Sequence, residues 1–277
     1  MSPLLRLVIT LAIAYSAILI LAWLFGDRLI YFPNYPDRMS GDWRPEGLSV
    51  EDIWLRTADD VKLHSWWVPA QGARFTFLVF HGNAANITNR TALYHFLRDL
   101  PANVLAVEYR GYGRSEGKPS EDGLYHDAEA AWDYAVHNRG ISPNRIVAFG
   151  ASLGTAVAVD LAAKRDVAGV VLVAPFASSK AVARRVYPFL PGIGSVVRSK
   201  FDTATKLTRV RWSILIVHCS HDPVLPFALG EEVYRLAHEP KLFLRVEGSC
   251  HEEALLTAPA ECRAQLLSFL RQIETGT

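Results

Sequence analysis

The sequence predicts an α/β fold: a mostly parallel eight-stranded sheet with helices on both faces, preceded by one transmembrane helix. Three observations carry this expectation. Residues 7–25 contain no charged side chain. Further along, six short runs rich in Val, Leu, Ile and Phe are separated by helix-length segments, the pattern of strands buried on both faces of a parallel sheet. Before those runs, two alternating stretches flank the polar turn Asp59-Asp60 and read as an opening hairpin.

Taken in chain order, the first element is the apolar run from Leu7 to Phe25, bounded by Arg6 and by Asp27-Arg28. It is long enough to cross a hydrocarbon core as a helix and is apolar around its whole circumference, unlike a buried helix of a soluble domain. A cleaved signal peptide is normally shorter and ends in small residues, whereas this run ends Ala22-Trp23-Leu24-Phe25, so residues 1–26 read as an uncleaved anchor. Trp23 and Tyr31 suit the interfacial belt. Arg6 and the terminal amine on one side face Arg28, Arg38 and Arg44 on the other, so positive charge does not decide the orientation.

The remainder, 27–277, reads as one domain without repeats. The hairpin is expected over Leu48–Arg56 and Val61–Val68. The buried strands are expected over Phe75–Phe80, Val104–Tyr109, Arg145–Phe149, Gly169–Ala174, Ile214–His218 and Leu242–Val246, with helices over Asp127–His137 and Ser152–Lys164. Half of the 277 residues are apolar and 21% are charged, which suffices for a large core. The net charge of +1 offers no field for nucleic acid, and no nucleic-acid partner is expected. Cys219, Cys250 and Cys262 form no zinc spacing, and His218 and His221 are the only close histidine pair, so no metal is expected.

Gly150-Ala151-Ser152-Leu153-Gly154 follows a strand and opens an alanine-rich helix, the context of the nucleophile elbow of α/β-hydrolases. The alternative is an ordinary strand-to-helix turn with a capping serine. A serine alcohol needs a base, and the base an orienting acid, in the chain order Ser, Asp or Glu, His. Ser220-His221-Asp222-Pro223 and Gly248-Ser249-Cys250-His251 each follow a strand, at the sheet edge where Ser152 lies. The expected catalytic triad is therefore Ser152, Asp222 and His251. His221 is the rival base, but adjacent residues do not easily place it against Asp222. Glu252 and Glu253 are read as helix-start residues stabilised by the dipole. The oxyanion hole, which completes the substrate-binding residues, is expected from the backbone N–H groups of Leu153 and Asn83, with Ala84 as the neighbour that could replace Asn83.

These residues resemble the single-span, membrane-anchored α/β-hydrolases of the abhydrolase-domain type. The resemblance is carried by the span followed by Leu29-Ile30-Tyr31-Phe32-Pro33, by His81-Gly82-Asn83-Ala84, by Tyr109-Arg110-Gly111-Tyr112-Gly113-Arg114-Ser115, by the elbow, and by the Asp222 and His251 loops. It implies hydrolysis of carboxylic esters or thioesters, often of lipid-like acyl groups, without a cofactor. The stretch Tyr109–Ser115 is read as shaping a turn beside the pocket. The family usually has glycine where Cys219 and Cys250 stand. These two cysteines flank the paired acid and base loops, and either a Cys219–Cys250 bridge or two free buried thiols fits. A bridge would place the domain on an oxidising, extracytoplasmic face.

Residues 176–211 form the insertion where this fold usually carries a lid. They hold Lys180, Arg184, Arg185, Arg198, Lys200, Lys206, Arg209 and Arg211 against Asp202 alone, a net charge of +7. Interleaved with apolar residues, this composition suits anionic headgroups or an acidic lipid substrate, and a solvated basic face is the plainer alternative. The expected function is a serine hydrolase acting through an acyl-Ser152 intermediate on a small-molecule or lipid ester. Cleavage of peptides or amides by the same triad, and a membrane-bound scaffold without catalysis, are the other readings.

Overall fold

The computed structural model describes residues 1–196 and 198–275. Eight strands form a single sheet: β1 (Glu51–Arg56), β2 (Lys62–Val68), β3 (Phe75–Phe80), β4 (Ala102–Val107), β5 (Ile146–Ala151), β6 (Gly169–Val173), β7 (Ser213–Cys219) and β8 (Lys241–Val246). Their order is β1-β2-β4-β3-β5-β6-β7-β8. The hairpin β1–β2 and the pair β2–β4 are antiparallel; every later pairing is parallel. Strand composition follows position. The central strands β3, β5 and β6 are buried along their whole length, whereas edge strand β1 buries only Ile53 and Leu55.

Because successive side chains of a strand point to opposite faces, each buried strand feeds two cores. Leu78 and Phe80 of β3 enter one with Leu105, Val107, Val157 and Leu229. Phe77 and Val79 enter the other with Tyr94, Phe149, Leu266 and Phe269. The covering helices are α1 (Pro3–Phe25), α2 (Thr91–Arg98), α3 (Glu121–Asp133), α4 (Leu153–Lys164), α5 (Ser179–Val186), α6 (Ile193–Val196), α7 (Thr203–Leu207), α8 (Phe227–Leu236), α9 (Ala254–Thr257) and α10 (Pro259–Thr275), of which α1 stands apart from the sheet.

Element boundaries differ from expectation for local reasons. Strand β4 stops at Val107 because Tyr109 opens a tight turn, closed by Tyr112 N–H donating to its carbonyl at 3.0 Å. Helix α3 starts earlier than expected, where Ser120 Oγ accepts from Gly123 N–H at 3.2 Å, and continues past Asp133 as a π turn through Asn138. Ser152 precedes α4 instead of belonging to it.

Helix α1 has 23 residues, a mean hydropathy of 2.5 over its most apolar window and no buried residue within that window. It is long and apolar enough to cross a membrane, a description that a span and a signal sequence both meet. It runs directly into a 3-10 turn at Gly26–Leu29. Its end is tied to the domain by Arg198, whose guanidinium donates to the carbonyls of Trp23 and Leu24 at 3.1 and 3.3 Å and lies 4.9 Å from the Trp23 ring. Tyr15 Oη donates to the Pro191 carbonyl. Tyr31, expected at a membrane interface, is instead buried: its ring packs edge-on against Phe201 and its Oη lies 3.1 Å from Ser199 Oγ. An aromatic body with a polar tip fits a core position as well as an interface when the tip has a partner.

Candidate active site

The parallel strands β3, β5, β7 and β8 end along one edge of the sheet, and the four loops that follow them hold the residues singled out in the sequence. Ser152 sits between β5 and α4 with φ 50° and ψ −118°, a region that L-residues rarely occupy. A Cβ added at Gly150 would overlap the Gly154 backbone, and one added at Gly154 would overlap the Phe80 carbonyl. Only glycine allows strand and helix to approach that closely. The turn is fastened by Ser152 N–H donating to the Val173 carbonyl at 2.9 Å and by the Thr155 hydroxyl donating to the Ser152 carbonyl at 2.6 Å.

Asp222 and His251 come from separate loops and meet: His251 Nδ1 lies 2.7 Å from Asp222 Oδ2. The other oxygen, Oδ1, accepts the N–H groups of Val224 and Leu225 at 2.7 and 2.8 Å. Burial would raise the Asp222 carboxyl, but hydrogen bonds from His218 and His251 outweigh it and hold the group well below the usual carboxylate range. An ionised Asp222 can only accept, so Nδ1 of His251 carries the proton and donates it in this hydrogen bond, leaving Nε2 as the acceptor. Ser152 Oγ makes no hydrogen bond to His251 in this structure, and such catalytic contacts are often loose before substrate binds. His221 is exposed and bonds Ser220 Oγ instead of Asp222.

The backbone N–H groups of Asn83 and Leu153 are not spent on any other described residue. Leu153 opens α4, where the first amides have no intrahelical acceptor. Asn83 is held by its carbonyl, which accepts Phe32 N–H at 2.9 Å and Tyr112 Oη at 2.8 Å. Tyr109 Oη likewise donates to the His81 carbonyl at 3.0 Å. The two tyrosines of the stretch read as a turn former thus brace the loop through Asn83. His81 Nδ1, 2.7 Å from the Gly82 carbonyl, must carry the proton of that bond, so Nε2 accepts from Glu108 Oε1 at 3.2 Å. Burial agrees, pushing His81 well below its usual range and Glu108 up to about 8, so the pair is neutral.

Several residues here were not legible as functional. His218, read only as half of a weak histidine pair, is fully buried with Nε2 3.4 Å from Asp222 Oδ2. Glu252, read as a helix-dipole residue, pairs with Arg90 at 3.0 Å, and Arg90 also donates to the Ala84 carbonyl at 2.8 Å. That pair ties the Asn83 loop to the His251 loop. Cys219 and Cys250 form a disulfide with Cα atoms 5.6 Å apart, linking the starts of the loops that carry Asp222 and His251. Among the described residues no group of three or more His, Cys, Asp or Glu is placed to hold a metal ion.

Ser152, Leu153 and Asn83 open on a cavity of about 720 Å³, a volume in the range of small-molecule sites. Its lining is almost wholly apolar, including Phe176, Val186, Leu190 and Phe201 from the segment after β6.

Over 243 residues the chain is 31% identical to α/β hydrolase domain-containing protein 17B of Xenopus tropicalis, covering 84% of this chain and 79% of that protein. This chain belongs to the α/β-hydrolase family. The α/β-hydrolase is also 34% identical over 252 residues to the uncharacterized protein Rv2307c of Mycobacterium tuberculosis, covering 90% of this chain and 88% of that protein. A family model described as serine aminopeptidase, S33, matches residues 71–203 of the α/β-hydrolase. Among solved structures it is similar to the Pyrococcus furiosus esterase Pf2001, with a TM-score of 0.70 at 19% identity, covering 88% of this chain and 98% of that one.

Proposed function

We propose that this α/β-hydrolase is a membrane-anchored serine hydrolase that cleaves carboxylic esters or thioesters of apolar acyl groups through an acyl-Ser152 intermediate. The observation that carries the reading is Ser152 on a strained strand-to-helix turn, facing an apolar cavity, with an imidazole oriented by Asp222 on the adjacent loops. His251 Nε2 takes the Ser152 Oγ proton as Oγ attacks the acyl carbonyl. The Leu153 and Asn83 N–H groups receive the oxyanion, a contribution typically worth about 10²- to 10³-fold in turnover per donor. Collapse expels the alcohol or thiol, which leaves with the proton from His251. Water, deprotonated by the same imidazole, then attacks the acyl carbon and frees the acid and Ser152.

In this reading α1 is a retained single span. Residues 176–211 act as a lid whose exposed Lys180, Arg184 and Arg185 lie against anionic headgroups. The Cys219–Cys250 disulfide favours an oxidising, extracytoplasmic side for the domain.

Labelling of the detergent-solubilised protein by a fluorophosphonate probe tests the nucleophile. Wild type is expected to label and Ser152→Ala not, with His251→Ala strongly slowed. A folded wild type that does not label would overturn the reading. The family model's description keeps amide cleavage as the second reading; turnover of matched ester, thioester and amide substrates chooses between them.

A further inference from the structure

The cavity in front of Ser152 is not enclosed by the sheet, its loops and the segment after β6 alone. Ile18, Leu21, Ala22 and Phe25 of α1 line it as well. Their spacing of three, four and seven residues places them on one face of the helix. The same helix is apolar enough to cross a membrane, and residues 18–25 occupy its last two turns, about 10 Å of rise. With α1 spanning a bilayer, that stretch lies within the half of the hydrocarbon core nearest its exit, since one leaflet contributes about 15 Å. One wall of the cavity is therefore at hydrocarbon depth, continuous with the lipid-facing surface of α1.

We infer that the anchor helix is a wall of the acyl-binding site, and that the site takes the acyl chain of a lipid resident in the surrounding leaflet, entering sideways along α1. The inference rests on the ester-hydrolase reading and deepens it. A chain that moves from bilayer to cavity along an apolar helix face never crosses water, whereas entry from solvent costs more with every methylene exposed. The fastening of α1 to the domain by Arg198 and Tyr15 holds this wall in place. Ala22, the smallest of the four lining residues, leaves the space that a chain would use, and Phe25 narrows it. The cavity also supplies a reason for the helix to be retained: removing residues 1–26 would take away one of its walls.

The test uses the full-length protein in phosphatidylcholine vesicles, with 4-methylumbelliferyl butyrate supplied from water and 4-methylumbelliferyl palmitate carried in the bilayer. Ala22→Trp is expected to lower the palmitate-to-butyrate ratio of kcat/KM by about tenfold or more, as filling a chain-sized space does. Ile20→Trp, on the opposite face of the same helix, is expected to leave that ratio within about twofold of wild type. Phe25→Ala widens the cavity without adding bulk and is expected to raise the preference for stearate over palmitate. Unchanged ratios in both Ala22→Trp and Phe25→Ala, with Ser152-dependent turnover intact, would overturn the inference and leave the hydrolase reading standing. No Ser152-dependent turnover of either ester by wild type would overturn both.

Discussion

His218 Nε2 lies 3.4 Å from Oδ2 of Asp222, the same oxygen that His251 Nδ1 reaches at 2.7 Å. Nε2 also donates to the Leu225 carbonyl at 2.9 Å, so His218 joins the acid to the loop that carries it. We expect His218→Phe to lower kcat by about tenfold with little change in KM, the lower end of what loss of a hydrogen bond to a charged group costs. Gly230→Ala gives an independent route, because a Cβ there would overlap the His218 ring. Steady-state kinetics on one soluble ester, with fluorophosphonate labelling rates beside it, measure both; a wild-type kcat in either variant would show that His218 does not position Asp222.

Glu108 and His81 predict a pH dependence with a definite sign. Folded Glu108 holds its proton to about pH 8, while in the unfolded chain an ordinary glutamate releases it near 4.3. Below about pH 6.5 the depressed His81 offsets this, because the unfolded chain binds an imidazole proton there that the folded chain does not; from about 6.5 to 8, raising pH draws the equilibrium toward the unfolded chain by up to about 1.4 kcal/mol per pH unit, and the trend ends above the folded Glu108 value. Activity should also fall above about pH 8, where an ionised Glu108 stops donating to His81 and places negative charge beneath the Asn83 loop, which we propose receives the oxyanion. Glu108→Gln keeps a donor and carries no titrating proton, so its profile should stay flat there. A wild-type alkaline limb that persists in Glu108→Gln would assign it to another group.

Arg110 anchors the stretch that begins at Tyr109. Its Nε donates to the buried Asp127 at 2.8 Å, and its two terminal nitrogens grip Asp59 in the β1–β2 turn at 2.6 and 2.9 Å. Arg110→Met strands a carboxylate with a fully buried side chain, and we expect a loss of about 3–5 kcal/mol. In a chain of this size that corresponds to a fall in Tm of about 10 °C. Adding Asp127→Leu should restore part of it, since the stranded charge is then gone. A thermal scan in detergent of both variants reads the result.

The strands and the sharp turn at Ser152 were legible because their signals are local: short apolar runs, glycines two residues either side of Ser152, and the Asp222 and His251 loops following successive strands. The supporting residues were not. Tyr109 and Tyr112 brace the Asn83 loop through hydroxyls whose acceptors are main-chain carbonyls of residues 81 and 83, and a carbonyl leaves no trace in a residue pattern. Glu252 looked like a helix-start acid because its partner, Arg90, lies 162 positions away. The face of α1 was hidden for a related reason. A helix apolar on every side does not announce which side a domain leans on, and Ala22 has no property as an isolated residue that marks it as a cavity wall.

The Cys219–Cys250 link closes a span of 31 residues. By chain entropy its loss should cost about 3.7 kcal/mol. We expect Cys219→Ser, or reduction of the wild type, to lower Tm measurably, and the crosslinked peptide to be recovered by mass spectrometry under non-reducing conditions. Alkylation of both thiols in native, unreduced protein would contradict the bridge.

The position of that link also bears on how the site comes apart. β8 ends the sheet and is hydrogen-bonded on one side only, and sheets open first at such margins. His251 follows β8, while Asp222 follows its inner neighbour β7. Without the crosslink, a passing detachment of β8 would carry imidazole away from carboxylate. With it, the Asp222 and His251 loops stay joined at their roots even when β8 loosens, so the pair that Ser152 needs in our proposal is held together by a covalent bond as well as by the sheet.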